Sequence, residues 1–164
     1  MAAVTTAPRS AQAETSLRWG TWLMGFAALG FIGYAAIFFV LNFTDSFLEL
    51  GIGREQVDVG RSEIQAFSPS LFHYISHLHI AVAGFLGATG LAVLFLVYGV
   101  RKGYMWAWYG AVLAPVLGLL VALPAHYPNG FATIGHLGLV YLATAVFVVG
   151  ALLALRGLRV EATQ

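Results

Sequence analysis

Four stretches of this chain, residues 20–43, 71–100, 104–124 and 131–155, contain no Asp, Glu, Lys or Arg. A helix needs about 20 apolar residues to cross the hydrocarbon core of a bilayer, and each stretch is long enough. Inside a bilayer the backbone finds no solvent partners, so a spanning segment satisfies itself as a helix. The alternating short strands of a membrane barrel do not occur in this sequence. Composition agrees: 60% of the 164 residues are apolar and 9% are charged, against roughly a quarter charged in soluble domains. A soluble enzyme and a disordered chain are therefore disfavoured. The net charge of +1 gives no basic surface for tracking phosphates, so nucleic acid is not an expected partner. With no cysteine, disulfides, thiolate metal sites and iron–sulfur clusters are excluded.

The expected fold is an all-α membrane protein, a four-helix up-down-up-down bundle with a long outer loop. Its membrane domain covers 19–157, between a flexible tail at 1–18 and a short C-terminal tail at 158–164. Arg101-Lys102-Gly103 and His126-Tyr127-Pro128-Asn129-Gly130 read as tight turns. The apolar run after the N-terminal tail is too long for a signal peptide and lacks a small-x-small cleavage site behind it, so it reads as a span. Four spans put both ends of the chain on one side. Arg9, Arg18, Arg101, Lys102, Arg156 and Arg159 fall on that side, against Arg54 and Arg61 on the other. The positive-inside rule makes that side cytoplasmic, in the cell membrane. Trp106, Trp108 and Tyr109 follow the basic turn, where an aromatic belt belongs.

The segment 44–70 is too long for a structureless connection. Thr44-Asp45-Ser46 offers cap chemistry, and Phe47, Leu48, Leu50, Ile52, Val57, Val59, Ile64 and Phe67 supply apolar surface. One or two short helices folded over the outer mouth of the bundle are expected. Asn42-Phe43-Thr44 matches a glycosylation acceptor.

The histidines carry the chemistry. His73, His77, His79, His126 and His136 all fall in the outer half of the expected bundle. His77 and His136 lie at matching depths, about 8–9 Å inside their helices. Short connections place the second and fourth helices on a diagonal, so these two side chains can face each other. That geometry suits axial ligation of a haem iron. It equally suits a smaller metal site completed by His126 or Glu63, with His73 and His79 as further candidate ligands. His73, His77, Ala81, Gly84 and Ala88 share one stripe, which leaves room for a flat macrocycle or for a close neighbouring helix. His79 points about 200° away from His77. Gly135 and Gly138 flank His136. Against these stands the plainer possibility of interfacial histidines bonded to water or carbonyls.

The run Ala114-Pro115-Val116-Leu117-Gly118-Leu119-Leu120-Val121-Ala122-Leu123-Pro124, followed by Gly135-His136-Leu137-Gly138, resembles the last helix pair of one half of a haem A synthase, a membrane b-type cytochrome architecture. The resemblance spans residues 71–155. It implies a four-helix unit with haem ligands near the outer face, His136 on the fourth helix and His77 or His79 on the second. No arginine follows any of the second-helix histidines, where that family has Glu-x-x-His-Arg. Ser76-His77-Leu78-His79 resembles an element of succinate dehydrogenase cytochrome b anchors. Phe67-Ser68-Pro69 with Tyr74-Ile75-Ser76-His77 resembles the copper-bearing subunit of membrane monooxygenases.

Haem b, or alternatively copper or iron, is thus the expected cofactor, held by His77 and His136. Arg61, Arg54 or Tyr127 would meet the propionates. Electron transfer to or from a quinone or another redox partner is the expected role, in the lipid bilayer and within a larger complex or homo-oligomer. The alternatives are a cofactor-free accessory subunit and a small metal-handling transporter. No carboxylate, Lys or Arg lies in the inner part of the spans, which disfavours a charged relay.

Overall fold

Ser10 and Ser68 start two long helices in the same way. Each hydroxyl accepts a backbone amide of the first turn, from Ala13 at 3.2 Å and from Leu71 at 3.3 Å, the usual service of an N-cap serine. Pro69 follows Ser68 at the first helical position, where its missing N–H costs nothing. The computed structural model describes residues 10–44 and 49–159. In order they form α1 (Ala11–Leu41), α2 (Arg54–Val57), α3 (Arg61–Phe67), α4 (Pro69–Arg101), α5 (Met105–His126) and α6 (Ile134–Arg159). The described residues are helices joined by turns, and α1, α4, α5 and α6 are each long and apolar enough to cross a membrane. This is the architecture of a multi-pass membrane protein. Large apolar side chains such as Trp22, Phe26, Phe85, Phe95, Leu117 and Val121 stand exposed on the outer faces, where lipid replaces water.

The helical register begins earlier than expected. Residues 11–18, read from the sequence as part of a flexible tail, are the first two turns of α1, with Ala13 and Leu17 buried. The rest of that tail, residues 1–9, and residues 160–164 lie outside the described residues, as do Asp45, Ser46, Phe47 and Leu48. Helix α1 has 31 residues, about 46 Å at 1.5 Å per residue, so it extends past a core about 30 Å thick. Arg18 therefore need not end the helix; it can continue into the headgroup layer.

Helix α1 packs most extensively on α6 and α4, α5 packs on α4, and a thinner α5–α6 seam completes a ring. Helices α4 and α6 accordingly stand on a diagonal. Small residues set the close approaches. A Cβ on Gly20 would stand 2.7 Å from the Gly150 carbonyl, and one on Gly157 would stand 2.7 Å from the Ala13 carbonyl. Without a hydrophobic drive between helices in lipid, close backbone packing of this kind holds them together. Trp108 adds an interhelical bond: its indole N–H donates to the Ala151 carbonyl at 2.9 Å. Trp106 and Tyr109 beside it are exposed, as an aromatic belt requires.

The segment after α1 contains two short helices, as expected. The Arg61 guanidinium donates to the carbonyls of Asn42 and Thr44, both at 3.2 Å, and so caps the C-terminal end of α1, where cations are favoured. It also lies 5.0 Å from the centre of the Phe72 ring. Asn42 is buried, which removes the glycosylation acceptor from reach.

Candidate metal centre

Three side chains from three elements meet at one end of the ring. Thr133 fixes the first. Its hydroxyl accepts the His136 amide at 3.2 Å and its carbonyl accepts the Leu137 amide at 2.8 Å. This cap places His136 in the first turn of α6, with 2% of its surface exposed. Helix α5 ends at His126, whose carbonyl accepts the Phe131 amide at 3.0 Å across a turn closed by Gly130 at φ +72°. The segment after α1 brings in Glu49 and Leu50. It can approach because Gly51 lies against Gly135; a Cβ on Gly51 would collide with the Gly135 carbonyl, and its φ of +75° favours glycine as well.

Ring chemistry fixes the protons. The His136 Nδ1 lies 2.7 Å from the Leu50 carbonyl, and the His126 Nδ1 lies 2.9 Å from the Ala122 carbonyl. A carbonyl only accepts, so both Nδ1 atoms donate. In neutral rings both Nε2 atoms then carry lone pairs. The His136 Nε2 stands 3.1 Å from the Glu49 carboxylate, itself an acceptor. Two acceptors at that distance require a proton or a cation between them. The His126 and His136 rings are 5.0 Å apart, and one ligand atom from each of Glu49, His126 and His136 lies within 4.8 Å of the other two.

A largely apolar cavity of about 330 Å³ opens from this cluster toward the middle of the ring. All four long helices line it, with Tyr34 and Phe38 from α1, Val82 and Leu86 from α4, Gly118 and Ala122 from α5, and Val140 from α6.

The other expected site residues lie elsewhere. His77 and His73 are exposed on α4. Their stripe of small residues is not the face that lines the cavity, so His77 does not stand opposite His136 there. His79 packs edge-on against Phe38, ring centres 4.8 Å apart. Glu63 is held by Arg54 and caps the Gly60 amide at 3.1 Å. The Arg54 guanidinium, followed by bonds from the backbone and Ser62, pulls its carboxyl down from 4.5 to about 2. Glu63 thus serves the α2–α3 segment, and Arg61 serves the end of α1. The Tyr127 hydroxyl bonds the Tyr141 hydroxyl at 3.0 Å. Glu49 was not singled out by the sequence as a ligand. The paired glycines Gly51 and Gly135 were the available signal that this segment touches the start of α6.

No protein-family model, curated protein or solved structure matches the chain.

Proposed function

We propose that this chain is a multi-pass protein of the cytoplasmic membrane that binds one divalent first-row metal ion between Glu49, His126 and His136. Its helices run up-down-up-down, the 44–70 segment lies at the outer face beside the metal, and both termini are cytoplasmic. The distribution of six basic residues against two supports that orientation. One observation carries the metal assignment. Both imidazoles have Nδ1 committed to a backbone carbonyl, the His136 Nε2 stands beside the Glu49 carboxylate, and one ligand atom from each of the three residues lies within 4.8 Å of the other two. Metal-bound histidines are typically oriented in this manner.

Imidazole with carboxylate suits iron, copper and zinc, and two histidines with one carboxylate and open positions is a donor set of non-haem iron(II). Iron is the first choice on that ground, and the open positions suit a centre that binds an exogenous ligand. A haem held between His77 and His136 has less support, because His77 is exposed on α4. The competing reading is a cofactor-free subunit in which a protonated His136 ion-pairs with Glu49 and ties the loop to the bundle.

Metal analysis of the purified protein, expressed with ample iron, copper and zinc, separates these. Near-stoichiometric metal is expected in wild type and in His77→Ala, with loss in His126→Ala, His136→Ala and Glu49→Gln. Equal metal content in all five proteins, or none in any, would favour the ion-pair reading.

A further inference from the structure

We infer that the cavity behind the metal cluster binds a lipophilic monoanion, a fatty carboxylate whose oxygen completes the metal's coordination and whose chain fills the ring. This rests on the metal assignment proposed above. The cavity is a gap in the packing of one helix. Ala107 and Ala111 are the buried residues of α5, so from Ala114 to His126 this helix walls the cavity instead of packing tightly on its neighbours. Pro115 and Pro124 sit within that half. An unfilled apolar space forfeits dispersion contacts along its whole lining, so an apolar occupant is favoured there. At about 330 Å³ it lies at the small end of ligand pockets, which run roughly 300–1,000 Å³.

Polarity selects the occupant's shape. Glu49, His126 and His136 lie at one end, with Tyr34 nearby. The Thr89 hydroxyl is already bonded to the Phe85 carbonyl at 2.8 Å. A ligand polar at one end and apolar along its body is the match. Charge selects the head. Among the described lining residues Glu49 carries the only formal charge, so a divalent metal leaves the site one positive charge in excess. A net charge beside a low-dielectric cavity is costly, and one anionic oxygen donor cancels it. The α5–α6 seam gives a route from the bilayer. It is the thinnest in the ring, tied at one end by Trp108 to Ala151 and at the other by Tyr127 to Tyr141.

The test uses the full chain in nanodiscs loaded with Co²⁺, whose visible band reports its coordination. Decanoate, acetate and decanol are the probes. Decanoate is expected to shift the band saturably. Acetate, with the same head and no chain, should need concentrations about 100-fold higher, since burying methylenes drives association. Decanol, with the chain and a neutral head, should bind more weakly than decanoate. Gly118 lines the cavity, and a Cβ there meets nothing within 4 Å. Gly118→Leu therefore adds bulk at a lining position whose first added atom is unopposed, and it should keep the Co²⁺ band while losing the decanoate shift. A band that decanoate does not move, equal potency of acetate or decanol, or a normal decanoate response in Gly118→Leu overturns the inference. Absence of any Co²⁺ band in wild type overturns the metal assignment, and the inference with it.

Discussion

The Nε2 atom of His136 lies 3.1 Å from the Glu49 carboxylate, 87 positions earlier in the chain. One partner is almost wholly buried, while the other is 39% exposed. The pair therefore sits where the helix ring meets its surroundings. A metal there is sheltered on the α6 side and open on the other, which suits exchange of a ligand. His126 approaches from a third element, so the cluster forms only when α5, α6 and the 44–70 segment are all in place.

The α1–α6 seam should be intolerant of added volume. Gly20→Ala would put a methyl group against the Gly150 carbonyl and the Ala154 backbone, and overpacking of this kind costs about 1–3 kcal/mol. Gly33→Ala on the same helix meets nothing within 4 Å and should stabilise by about 0.5–1 kcal/mol through helix propensity. Thermal unfolding in detergent, compared across the two variants, checks the contrast.

Trp108→Phe keeps an aromatic side chain but removes the donor to Ala151 and part of the indole that packs on the core. Interhelical bonds in membranes are worth about 0.6 kcal/mol on average and about 1.7 at most. A small, measurable loss of stability is expected, with metal content unchanged because Trp108 lies at the other end of the α5–α6 seam. A large loss of metal in this variant would show that the two ends of the seam are coupled.

The Arg54–Glu63 pair should resist acid. The Glu63 carboxyl titrates near 2 instead of 4.5, so the folded state favours its ionised form. The pair's contribution is complete above the ordinary value and is lost as pH falls through about 2. A carboxyl carbon titration by NMR should give that low midpoint, and Arg54→Ala should return it toward 4.5. An unshifted midpoint in the intact protein contradicts the pairing.

Much of the fold was legible in the sequence. Four uncharged runs became four long helices, and the Pro128-Asn129-Gly130 turn lies between α5 and α6 as expected. His136 does fall on the fourth span, but α6 starts at Ile134 and α4 at Pro69, so at 1.5 Å per residue His136 stands about 3 Å and His77 about 12 Å into its helix. The expected matching depths do not hold, and it is His126 that joins His136 in the cluster. The rotation of α4 was not legible. A helix apolar on all sides has no amphipathic stripe to mark its inner face, so the small residues next to His77 looked like a cofactor wall. They face outward. The choice of carboxylate failed for a different reason. Glu49 and Glu63 stand in one acidic segment, and only its tertiary path, set by Gly51 against Gly135, brings the first of them to His136. Local pattern does not encode that path.

Orientation is open to a direct check. Arg101 and Lys102 stand at the end of α4, Arg156 and Arg159 in the last turn of α6 and Arg18 two turns into α1, while Arg54 and Arg61 lie in the connection between α1 and α4. The proposed topology puts the first five on the cytoplasmic side. Reporter fusions at the C-terminus should be active in the cytoplasm, with a tag inserted near Val59 accessible from outside. An external C-terminus contradicts the proposed topology.

The central claim is the identity of the metal's ligands, and X-ray absorption spectroscopy of the metal-loaded protein tests it most directly. The expected first shell holds two imidazole nitrogens and at least one carboxylate oxygen, at about 2.0–2.2 Å if the metal is zinc, and Glu49→Gln should alter it. A shell of four pyrrole nitrogens with axial histidines, or one containing no imidazole, would contradict the account.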